Sequence, residues 1–138
     1  MEQDRRCAVI PLPVVHTDAR RAIVEADLPT SFTVARVNEI TCTDRVAADM
    51  ALGRHAHATT TEWFILAHGG FARFVGGVGA EEQVYEQLRA PCLIRCPAGV
   101  PHTFFGPEPG TILITLADQP YDARDTIPMP GHGDVPTA

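Results

Sequence analysis

The sequence predicts an all-β domain, a sandwich or barrel of short strands, and three observations carry that prediction. Its apolar segments are short, rich in β-branched and aromatic residues, and recur at roughly ten-residue spacing. Glycine- and proline-rich turn signals stand between them. Almost no stretch repeats its apolar residues at helical spacing. A chain of 138 residues is long enough for one domain with a true core and too short for two.

Along the chain, the predicted strands begin with Cys7–Ile10 and Arg21–Glu25. Phe32–Ile40 follows the turn Leu28-Pro29-Thr30, and Val46–Leu52 comes next. Glu62–Ala67 runs into His68-Gly69-Gly70, from which Phe71–Val75 departs. Gln83–Leu88 follows the glycine-rich Gly76-Gly77-Val78-Gly79, and Cys92–Cys96 is stopped by Pro97-Ala98-Gly99. Thr103–Phe105 ends at Gly106-Pro107-Glu108-Pro109-Gly110. Thr111–Leu116 then alternates, with Ile112, Ile114 and Leu116 on one face. Residues 1–124 read as a single domain; 125–138, rich in Pro and Gly, read as a loose tail or arm.

Composition excludes several function classes. The net charge is −6, from 17 acidic against 11 basic residues, which argues against a nucleic-acid partner. All the basic residues are arginines. Without lysine there is no Schiff-base chemistry and no P-loop lysine, while arginine suits bidentate binding of carboxylate or phosphate. The polar start lacks the pattern of a secretory signal, and no apolar run reaches the ~20 residues of a membrane helix. The 4 cysteines (Cys7, Cys42, Cys92, Cys96) therefore read as reduced thiols of a cytoplasmic protein, with Cys92 and Cys96 as small buried hydrophobes.

Chemistry-bearing residues concentrate in two segments. In Gly53-Arg54-His55-Ala56-His57, two histidines separated by one residue project the same way from an extended strand. Glu62 opens the next apolar strand, and a hairpin would bring its carboxylate to the same point. Pro97-Ala98-Gly99-Val100-Pro101-His102 is a tight turn that presents another histidine before a further strand. Three imidazoles and a carboxylate converging inside a β-barrel would hold a divalent transition metal with positions open for a ligand. His68 reads as a solvent-facing tip; His16 and His132 lie in loops and are assigned no role.

The spacing HxH, four residues, Glu, six residues, Gly, followed by PxGxxH, resembles the two motifs of the cupin superfamily. His55, His57, Glu62 and Gly69 fill the first motif; Pro97, Gly99 and His102 fill the core of the second. The departures are at turn positions: the leading glycines fall near Asp49 and at Pro91, and a closing Asn is replaced by Gly106. The resemblance implies a double-stranded β-helix (jelly-roll) barrel, with metal bound by His55, His57, Glu62 and His102. Shorter segments (His16–Arg21, Asp27–Pro29, Phe32–Val37, Gly53–His57 and Leu116–Asp122) resemble small cupins that isomerise or epimerise nucleotide-linked 4-keto sugars. Asn38 and Glu39 depart from those ketoisomerases, which commonly carry a Tyr after this Arg-Val.

These readings give a set of expectations. The chain is a metal-dependent cupin enzyme of isomerase, epimerase or lyase type, acting on a carbonyl-bearing or sugar-like metabolite by proton transfer beside a metal-polarised carbonyl. An Fe(II) dioxygenase and a non-catalytic small-ligand-binding cupin are the alternatives. His55, His57, Glu62 and His102 form the catalytic and metal-ligating set; Zn or Fe(II), or else Mn or Ni, is the metal. Arg54, Arg36 and Phe104 contact the substrate, a small molecule that is anionic or a nucleotide-sugar. Family architecture implies a homodimer, with Cys7–Ile10 as its arm strand.

Overall fold

The computed structural model describes residues 5–43 and 51–135, and its strands fall into two facing sheets and a small ribbon. The strands are β1 (Ala8–Pro11), β2 (Val14–Thr17), β3 (Ala22–Val24), β4 (Arg36–Thr41), β5 (Ala51–His57) and β6 (Glu62–His68). There follow β7 (Gly70–Gly76), β8 (Gln83–Arg89), β9 (Cys92–Cys96), β10 (His102–Pro107), β11 (Ile112–Ala117) and β12 (Thr126–Pro128). One 5-stranded sheet has the order β1-β9-β6-β11-β4, the other β12-β5-β10-β7-β8, and β2 pairs with β3 alone. All pairings are antiparallel. From β4 onward the chain crosses between the sheets at each connection except the β7–β8 hairpin, which is the expected double-stranded β-helix.

The predicted strands appear close to their expected bounds, with instructive differences. Val46–Met50 lie outside the described residues, as does Asp49; the strand there runs from Ala51 to His57. On β11 the buried row is Leu113, Thr115 and Ala117, while Ile112, Ile114 and Leu116 face outward and are half-buried. Alternation alone cannot tell which face of a strand meets the core when both are apolar. The expected strand Cys7–Ile10 appears as β1, Ala8–Pro11, and pairs with this chain's own β9, with Ala8 opposite Arg95.

The core lies between the sheets and is strongly aromatic. Phe104 packs on Phe74, Phe71 and Phe64 with ring centroids 4.7, 4.9 and 5.3 Å apart. Such pairs contribute about 0.5–1.5 kcal/mol each beyond their buried area. All four cysteines are free and buried, and burial pushes the Cys92 thiol up to about 11, as befits unreactive packing groups.

Of the two readings of the stretch after residue 124, a loose tail or an arm, the strand pairing there fits the arm. Thr126, Ile127 and Pro128 pair with His57, Ala56 and His55. Beyond them His132 is buried, its ring nitrogens 2.7 Å from Thr103 Oγ1 and 2.7 Å from the Gly77 carbonyl oxygen. A carbonyl only accepts, so Nε2 donates to Gly77, and Nδ1 shares a hydrogen bond with the Thr103 hydroxyl. Pro and Gly here shape a strap that closes on the barrel rather than a solvated end.

Candidate functional site

The site grows from an irregularity in β5. The register places His55 opposite His102 and Gly53 opposite Thr103, so Arg54 is an extra residue on the β5 side. Gly53 and Arg54 both have positive φ (100° and 54°), the mark of a bulge. The bulge turns His55 and His57 into the barrel. On the facing sheet, Glu62 opens β6 on the same inward row as Phe64 and Leu66. His102 is set by the turn before β10: Gly99 takes the positive φ of 79°, the Val100 N–H donates to the Pro97 carbonyl, and the Gly99 N–H donates to the His57 carbonyl at 2.6 Å. This last bond ties the second motif's turn directly to the first motif's strand.

One nitrogen from each of His55, His57 and His102 and one oxygen of Glu62 all lie within 4.8 Å of one another. The His55 ring stands 4.7 Å from that of His57 and 4.9 Å from that of His102. Glu62 Oε1 is 2.9 Å from His57 Nε2 and 3.5 Å from His102 Nε2. Both Oε1 and His102 Nδ1 are fully buried, so solvent does not reach them. Burial pushes His102 down to about 4, and burial followed by the His57 charge lowers His55, so both are neutral rings with lone pairs available. Burial acts to raise Glu62, but the imidazoles around it outweigh that and keep the carboxyl below its usual range.

A shared divalent ion fits these residues. Donors each about 2.1 Å from an ion lie up to about 4.2 Å apart, so the cluster needs only slight contraction. Neutral His55 and His102 rings and an ionised Glu62 carboxylate are the protonation states that coordination requires.

Other predicted site residues separate sharply. Arg36 is on the inward row of β4, in line with Ala117 and Glu62. Arg54, expected to bind substrate, is on the outer face: its guanidinium donates to Asp134 Oδ1 at 2.7 Å and covers the Phe105 ring at 5.4 Å. The bulge that aims the histidines inward sends it out. Phe104, also expected to bind substrate, is 2% exposed within the aromatic core, 6.4 Å from the His102 ring, and supports the site from behind. His68 ends β6 exposed, as expected. His16 sits on exposed β2, 2.8 Å from Asp18.

Asp125 was missed by sequence reasoning. Its carboxylate accepts from the Thr59 N–H and hydroxyl (2.8 and 2.7 Å) and from the Thr60 hydroxyl (2.5 Å), and lies 3.9 Å from His57 Nδ1. It holds the β5–β6 loop behind His57. No sequence signal marked it, because it begins the Pro- and Gly-rich stretch read as a tail or arm. A cleft of about 990 Å³ on the outside of the barrel, bordered by Phe32, Trp63, Arg95 and Asp118, contains none of the four cluster residues.

Several solved structures share this architecture. A 3,4-ketoisomerase from Thermoanaerobacterium thermosaccharolyticum, a single-site variant in complex with TDP-4-keto-6-deoxyglucose, aligns with TM-score 0.72 and 22% identity over 91% of this chain and 88% of that one. A TDP-quinovose 3,4-ketoisomerase from Campylobacter jejuni gives 0.74 and 21%, over 90% and 93%. A 3'-monoepimerase from Streptomyces bikiniensis, in complex with dTDP-quinovose, gives 0.71 and 17%, over 87% and 67%. The fold is an RmlC-like cupin barrel. No protein-family model matches the chain, and no curated protein sequence matches it. Among the described residues of this cupin barrel, no helix is long and apolar enough to cross a membrane.

Proposed function

We propose that this cupin is an isomerase- or epimerase-type enzyme that shifts a proton beside the carbonyl of a sugar-like, nucleotide-linked substrate. The observation that carries the reading is the convergence of His55, His57, Glu62 and His102 inside the barrel, with one ligand atom from each within 4.8 Å of the others. The nucleotide-linked substrate is suggested by the TDP-sugars named for the similar structures. His55, His57, Glu62 and His102 would hold a divalent metal, and a metal bound there supplies Lewis-acid polarisation of a substrate oxygen. The aromatic floor of Phe64 and Phe104 keeps bulk water from one side of the cluster. Asp125 and the strap hold His57 in place. A ring nitrogen engaged in coordination has no lone pair left for a substrate proton, so proton exchange would fall to a group other than the ligating imidazoles.

The test is metal analysis of protein purified without chelator, combined with NMR of TDP-4-keto-6-deoxyglucose in heavy water. Stoichiometric metal and deuterium entering the carbon beside the ketone are expected. His57→Ala should lower metal affinity about 10–100-fold or more, as loss of even a supporting contact to a ligand does. Metal-free protein with undiminished exchange in His57→Ala would remove the metal from the proposal. Oxygen consumption without exchange would replace it with a dioxygenase, and tight binding without turnover with a ligand-binding protein.

A further inference from the structure

Unpartnered polar atoms lie inside the barrel outside the His/Glu cluster. Strand β4 alternates, with Arg36, Asn38 and Ile40 on the inner row: Ile40 packs on the core, whereas Val37, between them, is 58% exposed. On β11 the inner residues are Leu113, Thr115 and Ala117. Register then defines two adjoining inner rows, Arg36–Ala117–Glu62 and Asn38–Thr115–Phe64. In the first, Ala117 is the one residue between Arg36 and Glu62 across the sheet. In the second, Thr115 is 2% exposed and its hydroxyl has no hydrogen-bond partner.

Arg36 repeats the pattern. Its Nε is buried and unpartnered, and its guanidinium carbon lies 5.6 Å from the centre of the Tyr121 ring, a stacking contact that orients the group. Asn38, next on the same row, is exposed, so solvent reaches the inner face at this edge of the sheet. Buried polar atoms are almost always satisfied in native proteins, and a hydroxyl left unpaired is destabilising to the ligand-free molecule. Valine has nearly the same shape and would lack that penalty. A row of such atoms that starts at the cluster and ends at a solvent-reached edge is explained by a ligand that satisfies them.

We propose that Thr115 and Arg36 read the part of the substrate remote from the reacting carbonyl, with Asn38 marking where that part reaches solvent. The Thr115 hydroxyl pairs with a hydroxyl or ring oxygen of the sugar, and Arg36 binds an anionic group such as the diphosphate. This rests on the sugar-nucleotide reading above and adds which side chains recognise which end of the substrate.

Calorimetric titration with TDP-glucose and with TDP tests the assignment, because neither probe carries a ketone and neither requires turnover. Thr115→Val should bind TDP-glucose about tenfold more weakly, with TDP unaffected, consistent with loss of one buried hydrogen bond. Its ligand-free melting temperature should equal or exceed that of the parent, whereas a structural role for the hydroxyl would lower it. Arg36→Met should weaken both probes by about tenfold or more. Thr115→Val with parental affinity for TDP-glucose, or Arg36→Met with parental affinity for TDP, overturns the corresponding half. A parent protein that binds neither probe overturns the whole inference. Failure of deuterium exchange despite binding would instead count against the reaction and leave the recognition row standing.

Discussion

At Gly53 the backbone has φ of 100°, and a Cβ built there would lie 2.5 Å from the His102 carbonyl oxygen. Glycine is required twice over, by the left-handed conformation and by the approach of β10. Gly53→Ala is therefore expected to lower stability by about 1–3 kcal/mol, the range for a residue forced into such a conformation. It should also weaken metal binding, because relief of the clash moves His102 away from His55. Thermal melting together with competitive metal titration checks both effects; parental metal affinity in a folded Gly53→Ala protein would show that the bulge does not set the cluster. The HxH spacing made inward-facing histidines legible in the sequence. The glycine and the extra residue that turn Arg54 outward were not, because a bulge is defined by the partner strand's register.

Among the elements, the strap after β11 does the most that its composition did not announce. Arg54 bonds Asp134, Arg73 donates to the Gly133 carbonyl at 2.7 Å, and Asp125 accepts from Thr59 and Thr60. Hydrogen bonding from Arg54 holds the Asp134 carboxyl below its usual 3.8, and the Thr60 and Thr59 hydroxyls do the same for Asp125. Depressed carboxyls contribute stability that is present above the unfolded value of 3.8 and is lost as pH falls through the folded values. Acidification below 3.8 should therefore loosen the strap. Amide resonances of Thr126, Ile127 and Gly133 are expected to shift together in that window, before those of β6, β9 and β11. A strap that holds its shifts until the whole barrel unfolds would contradict this. Proline and glycine left both a loose tail and an arm open because the atoms they meet, on β5, β7 and β10, are remote in sequence.

For the molecule as a whole, apolar surface is distributed unevenly. The β2–β3 ribbon exposes Val14, Val15, Ile23 and Val24 at 55, 49, 36 and 40%. The outward row Ile112, Ile114 and Leu116 leads to exposed Val37 on the edge strand of the same sheet. A monomer this small rarely presents such a ribbon and such a sheet face together, and a two-fold arrangement lets each copy cover the other's. Light scattering is expected to give twice the chain mass of 14.9 kDa, and Val14→Glu combined with Val24→Glu to give the single mass. A monomeric parent at micromolar concentration would remove this expectation.

The sequence by itself determined the fold class and the four residues of the cluster. Short β-branched segments between Gly/Pro turns can bury their faces only as packed sheets, and HxH, Glu and PxGxxH sit at fixed offsets from strand ends. Tertiary structure decided what depends on pairing between distant segments. It chose which face of β11 meets the core, made a strap of the stretch after residue 124, buried His132, and turned Arg54 away while leaving Arg36 inward. It also left Thr115 without a partner beside the cluster. Those outcomes follow from register and sheet order, which fix the neighbours a side chain meets across the barrel, and local sequence contains neither.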